Sequence, residues 1–162
     1  RAPLCCEKRL TFTNAGETLN AAFSPGGDRL AVTSSPLGNP QVYVMPAGGG
    51  APQLISRYVF GERGYATSPD WSPRGDRIAY QAWVENTFQI VTVNPNGADR
   101  RVMTSSGNNE DPSWAPDGRH LVFSSAGRRG NSLLILDTVS GRVRTLTSGR
   151  VDQLADWSSS LP

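Results

Sequence analysis

The chain of 162 residues has few of the side chains that carry out chemistry. It contains one histidine and two cysteines, and the cysteines, Cys5 and Cys6, are neighbours. Adjacent cysteines close a strained ring with difficulty, and two cysteines do not make a disulfide scaffold. We interpret them as an ordinary pair of thiols without an assigned role. A metal cluster of the Cys and His kind is not predicted either.

The sequence also lacks the motifs of common enzymes. His120 is the single histidine, and its place in a repeat described below predicts a surface position. A Ser–His–Asp or Cys–His arrangement therefore has no good base. Neither GxSxG nor a phosphate-binding glycine loop occurs. We predict that the protein is not an enzyme and has no catalytic residues, no metal ligands and no cofactor.

Positive charge is present but is not clustered. Fifteen of the 16 Lys and Arg residues are arginine, and no basic run is longer than two residues. A surface that follows phosphates needs clustered cations, so nucleic-acid binding is not predicted.

No stretch approaches the ~18 apolar residues that a membrane-spanning helix needs, and we expect the chain not to span a membrane.

What the sequence does have is an internal repeat. Three segments align without gaps: FSPGGDRLAV from Phe23, WSPRGDRIAY from Trp71 and WAPDGRHLVF from Trp114. A fourth segment, WSSSLP, begins at Trp157, and the four aromatic residues are 48, 43 and 43 positions apart. A period in the forties with short strands and turn signals is typical of β-propeller blades.

The RGD in the second segment belongs to a turn that all three segments share. Proline sets φ for the first corner of a type I turn. The glycine that follows takes the left-handed conformation that lets two strands pair across a short loop. SPGGD, SPRGD and APDGR occupy the same place, so we interpret the RGD as part of a hairpin and not as an adhesion signal.

The remainder of each repeat alternates apolar and polar residues as strands do. The predicted strands are 19–24, 29–34, 41–45 and 52–56 in blade 1, 68–72, 77–83, 88–93 and 100–104 in blade 2, and 111–115, 120–125, 132–137 and 143–147 in blade 3. Residues 154–158 are predicted to be a lone first strand, and residues 8–13 a lone last strand.

The predicted fold class is all-β, a partial β-propeller of three four-stranded antiparallel blades with a C-terminal closing strand and an N-terminal orphan strand. Residues 1–8 would be a tail and 9–162 the propeller, with repeats at about 10–53, 54–101, 102–145 and, in part, 146–162. Closed propellers have at least four blades. We therefore expect these blades to belong to a longer chain or to self-associate.

The three repeats, with QVYVMPAGGGAPQLIS after the first and LADWSSSLP at residues 154–162, resemble the PD40, or WD40-like, repeats of the TolB family. The resemblance covers roughly residues 9–162. It implies the C-terminal half of a six-bladed propeller of the periplasmic Tol–Pal envelope system. It further implies a non-enzymatic scaffold that binds a Pal-like peptidoglycan-associated lipoprotein across one open face. The alternative is a PD40 propeller that serves an enzyme by gating a peptidase or by binding a sugar.

In the family that face is built by the loops leading into the first strand of each blade, which here are residues 14–20, 57–68, 105–111 and 148–154. Binding often resides in such loops on a rigid scaffold. The partner contacts predicted on this basis are Glu17, Asn20, Tyr65, Thr67, Ser68, Asn108, Asn109, Glu110, Asp111, Asp152 and Gln153.

Three carboxylates near the tryptophans are a further feature. Asp70 and Asp156 come one residue before a tryptophan and Asp111 comes three before, so all three lie on the side of the strand away from the ring. First strands line the central channel of a propeller. These oxygens would then either hold a cation or bond nearby backbone donors and channel water.

Overall fold

A computed structural model of the chain describes residue 10 and residues 17–36, 38–58, 63–128, 130–148 and 152–157. This part of the chain is built from β-strands and turns. The strands are β1 Thr18–Phe23, β2 Arg29–Ser34, β3 Gln41–Pro46, β4 Gln53–Leu54, β5 Ala66–Trp71, β6 Ile78–Val84, β7 Thr87–Val93, β8 Arg101–Val102, β9 Asn108–Trp114, β10 His120–Gly127, β11 Gly130–Asp137 and β12 Val143–Thr145.

The strands form three separate four-stranded sheets in which each strand pairs with the next one along the chain. The orders are β1-β2-β3-β4, β5-β6-β7-β8 and β9-β10-β11-β12, and every pairing is antiparallel. The prediction of three four-stranded blades in a partial propeller is confirmed. We call the sheets blades 1, 2 and 3.

The first strand of each blade is the innermost one. Strand β5 lies against β1 on one side and β9 on the other. Successive hairpins then alternate between the two ends of the blades. We call the end with the loops leading into β1, β5 and β9 the loop face, and the end with the repeated hairpin turns the turn face.

Apolar side chains between neighbouring blades make up the core. Trp71 packs with Ala31, Val42 and Val44 of blade 1, and Trp114 packs with Ile90 of blade 2 in a second cluster. The two tryptophans are 5% and 6% exposed. Burying side chains of this size contributes roughly 1.5–3 kcal/mol each, so the tryptophans fasten each blade to the one before it.

The repeated hairpin turns have the predicted geometry. The glycines at the equivalent corners, Gly27, Gly75 and Gly118, have φ of 70°, 75° and 63°. The Gly75 N–H donates to the Ser72 carbonyl at 2.8 Å, and the Ser72 hydroxyl donates to Asp76 at 3.0 Å. The glycine and aspartate of the RGD therefore hold the turn together.

The innermost strands carry a bulge that the sequence analysis did not predict. Register shifts fall within β1, β5 and β9, and Ser68 and Asp111 at two of them have φ of 53°. A proline follows each of these residues, and proline is tolerated in a sheet at bulges. Strands β5 and β9 begin at Ala66 and Asn108, earlier than predicted, because pairing continues beyond the bulge.

The two predicted lone strands have different outcomes. Residues 152–157 form no strand ladder, although Asp156 accepts a hydrogen bond from Ser113 of β9. A first strand needs a second strand beside it, and the described residues supply none, so the prediction for 154–158 is wrong within 154–157. Residue 158 and, apart from Leu10, the predicted strand at 8–13 lie outside the described residues.

Gly75→Ala tests the turn. The added Cβ would meet nothing closer than 3.9 Å, so the cost is that of forcing φ of 75° on alanine, about 1 kcal/mol of unfolding free energy. The control is Gly48→Ala, where φ is ordinary and the Cβ meets open space; we expect it to be neutral or slightly stabilising. Urea unfolding followed by tryptophan fluorescence measures both, and equal values would contradict the turn assignment.

Candidate binding face

Several of the predicted contact residues stand at equivalent positions of the repeats. Glu17, Tyr65 and Asn108 stand at the same position in the three repeats, and so do Thr67, Glu110 and Gln153. Their equivalence in the repeat is the basis for expecting them on one face, and the expectation of a common binding face stays a prediction.

Two of the predicted residues hydrogen-bond to each other across the blades. The Ser68 hydroxyl donates to Asp111 Oδ1 at 3.0 Å. The Asp111 N–H donates to Gln81 Oε1 of blade 2 at 2.8 Å. Ser68 and Asp111 both sit at the bulges, so the positive φ of each directs backbone and side chain towards the neighbouring blade.

Asp70 joins the innermost strands of blades 2 and 3. Its Oδ1 accepts the N–H of Trp71 at 2.9 Å, and its Oδ2 accepts the N–H of Trp114 at 2.6 Å. Burial raises the pKa of Asp70, the two N–H donors oppose that shift, and the negative charge of Asp156 adds to it. A carboxylate thus occupies a partly desolvated position because backbone donors need an acceptor there.

Asp156 is hydrogen-bonded to nearby donors in the same way as Asp70. Asp156 accepts the Ser113 hydroxyl at 2.9 Å and the Trp157 N–H at 2.8 Å. Within the described residues, no three His, Cys, Asp or Glu side chains are grouped in a way that would hold a metal ion. The interpretation that the carboxylates bond nearby donors is confirmed for Asp70 and Asp156.

Two predicted contacts lie inside the molecule. Thr67 is 8% and Asn109 is 2% exposed. The Asn109 amide donates to Gln89 Oε1 at 3.0 Å and to the Ser106 carbonyl at 2.8 Å. Its place in a loop segment suggested exposure, but its amide is needed to hold that loop against blade 2, so neither side chain is placed to meet a partner.

Asp152 has a comparable internal bond. Its Oδ2 accepts the Thr147 hydroxyl at 2.5 Å, and the same hydroxyl accepts the N–H of Leu133 at 3.1 Å. In blade 2 the equivalent hydroxyl, that of Thr104, bonds Gln89 and the N–H of Ile90. Asp152 therefore helps to hold the segment after β12 against β11 in blade 3.

The other predicted residues of the face are accessible. Glu17, Asn20 and Gln153 are exposed and Tyr65 is 38% exposed, while Asn108 and Glu110 are half-buried. Asn108 Oδ1 accepts the N–H of Phe88 at 3.0 Å, and its amide also bonds Glu110. Partner contact by these residues stays a prediction.

Three residues near Tyr65 were missed from the sequence. The Phe88 ring lies 5.5 Å from Tyr65 and 5.0 Å from Trp83, and the Arg63 guanidinium lies 5.9 Å above Trp83. Trp83 and Phe88 had been assigned to strands and not to the face. Their place at the β6–β7 turn, which lies at the same end as the loops, was the signal available.

His120 lies on the turn face. Its Nδ1 is 2.6 Å from Asp117 Oδ2, and both side chains are partly exposed. Burial acts to raise the pKa of Asp117, but His120 and the N–H groups of Arg119 and His120 outweigh it and lower the pKa to about 2. The predicted surface position of His120 is confirmed.

No helix in the described ranges is long and apolar enough to cross a membrane.

Comparison with known proteins agrees with this geometry. Residues 5–161 match the TolB beta propeller domain, PD40. This chain belongs to the TolB propeller family. A Protein TolB homolog of Chlorobium luteolum is 37% identical over 131 residues, which are 78% of this chain and 28% of that protein. The chain thus spans under a third of the length of that relative.

Solved structures show the same fold. TolB from Acinetobacter baumannii superimposes with a TM-score of 0.76 at 21% identity, over 92% of this chain and 37% of that one. An acylaminoacyl peptidase of Pyrococcus horikoshii superimposes with a TM-score of 0.66 at 17% identity, over 87% of this chain and 26% of that one. Enzymes also carry this propeller fold.

Asp70→Ala tests the bond between blades. It would leave the buried N–H of Trp114 without its acceptor, and such a loss costs about 1–3 kcal/mol. Glu17→Ala is the control, because that carboxylate belongs to an exposed residue outside the turns and the strands; about 0.5 kcal/mol or less is expected. Urea midpoints compare the two, and an equal loss in both would refute the assigned role.

The raised pKa of Asp70 makes a second, pH-dependent prediction. The folded pKa lies above the unfolded value of 3.8. The contribution of this group to the unfolding free energy is therefore fully present below about pH 3.8 and is lost as pH rises through the folded pKa. The unfolding free energy of the wild type minus that of Asp70→Asn should therefore fall as pH rises above 3.8 and through the folded pKa. A difference that rises with pH would show that the N–H donors outweigh burial.

Proposed function

We propose that this propeller is a non-enzymatic, protein-binding scaffold that acts in the periplasm as part of a Tol–Pal-type envelope system. The partner is a Pal-like peptidoglycan-associated lipoprotein, and the loop face binds it. The membership of the TolB propeller family carries this proposal. The rim of exposed polar and aromatic side chains, drawn from all three blades, supports it.

The internal bonds of the channel also support a binding role. Three polar side chains there are already hydrogen-bonded within the protein: Asp70 accepts the N–H of Trp114, Asp111 accepts the Ser68 hydroxyl, and the Asn109 amide donates to Gln89. Side chains held in this way present a rigid surface, and a rigid surface loses little conformational entropy on binding. A catalytic site would instead need an acid or base directed at a substrate.

The second candidate is a propeller that serves an enzyme, by gating a peptidase or binding a sugar. It is favoured by the likeness of the fold to the acylaminoacyl peptidase, which at that identity concerns the fold alone. Incubation of the full-length gene product with peptide and glycoside substrates separates the two candidates. Turnover that is lost on changing a channel carboxylate would support the enzyme.

Binding of a Pal-like soluble domain from the same genome to the full-length gene product tests the scaffold. Asn20→Arg and Gln153→Arg add bulky charge at exposed positions of the loop face. Each should raise the dissociation constant about tenfold or more, which corresponds to a loss of ~1.4 kcal/mol of binding free energy. Val139→Arg is the matched control, since Val139 is exposed on the turn face. Isothermal titration calorimetry gives the constants, and a loss in the control equal to that on the loop face would contradict the proposal.

A further inference from the structure

The aromatic cluster on blade 2 stands at the mouth between blades 2 and 3. We call Tyr65, Trp83, Phe88 and Arg63 the aromatic anchor. Trp83 and Phe88 are directly paired across β6 and β7, and the Trp83 N–H bonds the Tyr65 carbonyl at 2.9 Å. Side chains alternate along a strand, and Phe88 shares its side of β7 with Ile90, which packs towards blade 3. All three rings therefore face the same gap.

The fold does not require these rings. The pair equivalent to Trp83 and Phe88 in blade 3 is Ala126 and Asn131, which face each other across β10 and β11 in the same register. Blade 3 thus builds the same hairpin end with a small and a polar residue. The propeller fold therefore does not explain why blade 2 has rings at positions where blade 3 has none. A partly exposed aromatic cluster of this kind marks a binding surface.

Arg63 differs from three arginines of the turn face. Arg77, Arg101 and Arg119 each pair with an aspartate at 2.6–2.9 Å. Arg63 lies over the Trp83 ring and forms no ion pair with any residue in the described ranges. A guanidinium stacked on an aromatic face keeps its in-plane N–H donors for a carboxylate. It is therefore placed to meet an anionic group of a partner.

Negative charge borders the anchor elsewhere. Glu110 bonds Asn108 beside Phe88, and Glu85 lies in the β6–β7 turn. Glu85 also lines a cavity of about 460 Å³ with Thr87 and Gln89, which alternate with Phe88 along β7, so this cavity lies on the other side of the strand from the rings. The two glutamates would repel a run of acidic residues.

We propose that the aromatic anchor binds an extended peptide segment of the protein partner in which an apolar side chain stands next to a single carboxylate. The apolar side chain packs on Trp83 and Phe88, and the carboxylate pairs with Arg63. This inference deepens the proposed function and rests on it, because it names the chemistry that the loop face recognises at blade 2. Aromatic and arginine side chains are the residue types that dominate such interfaces.

Selection from a phage-displayed library of random linear 12-residue peptides on the full-length gene product tests the inference. The enriched peptides should carry one Asp or Glu within two positions of an aromatic or large aliphatic residue. Their synthetic forms should lose about tenfold or more in affinity for Trp83→Ala and for Phe88→Asn. These variants carry the residues that blade 3 uses at the same positions, so the hairpin should still fold, and urea unfolding checks this. Val139→Ala on the turn face is the control.

The role of Arg63 has its own readout. Replacing the peptide Asp by Asn should weaken binding to the wild type but should make little difference to Arg63→Gln, so the two changes are coupled in a double-mutant cycle. A preference for the acid that persists in Arg63→Gln would overturn the pairing. Library selection that enriches no peptide, or enriches peptides that bind Trp83→Ala as well as the wild type, would overturn the anchor.

The Pal-like soluble domain separates this inference from the proposed function. Weaker binding of that domain to Trp83→Ala and Phe88→Asn, but not to Val139→Ala, supports both. Equal binding to all variants keeps the scaffold and refutes the anchor. If the domain fails to bind the wild type while the selected peptides bind at the anchor, the Pal assignment fails and the anchor stands.

Discussion

The structure depends on the contact between one blade and the next. A single four-stranded sheet has two apolar faces and cannot bury both alone. Trp71 and Trp114 each pack against the preceding blade, in two separate apolar clusters. Asp70 links the backbones of the innermost strands β5 and β9. Phe23 at the equivalent place in blade 1 is 65% exposed, because no described blade precedes it. The same residue type is core or surface according to its neighbour.

Much of this arrangement could be predicted from the sequence because it is repeated. The turn residues, the alternation of the strands and the aromatic position recur three times, so each repeat supports the interpretation of the others. The glycines at the turn corners and the three sheets could be predicted for this reason. The bulges at Ser68 and Asp111 could not be predicted from the same pattern, because alternation fixes the face of a side chain only while the register is unbroken. A positive φ at serine or aspartate leaves little signal in the sequence.

Burial of the loop residues was the other difficulty. Asn109 and Asn108 are adjacent and identical in type, yet one is buried and holds the loop while the other borders the face. Composition cannot separate them, because an asparagine in a loop satisfies either neighbouring backbone or a partner. What separates them is the strand register, which directs Asn109 towards Gln89. The sequence therefore defines the loop segments, but it does not tell which of their side chains are exposed.

Repetition also gives a way to distinguish fold from function within one chain. Blades 2 and 3 share their register, so what both carry serves packing, as the tryptophans and turn glycines do. What one carries alone needs another cause, and Trp83, Phe88 and Arg63 belong to that class. The turn face offers a contrast, since three of its arginines, Arg77, Arg101 and Arg119, are paired with aspartates. The loop face of blade 2 has an aromatic surface and an arginine, Arg63, for which the described residues show no such pair, and this difference supports the proposal that the loop face binds the partner.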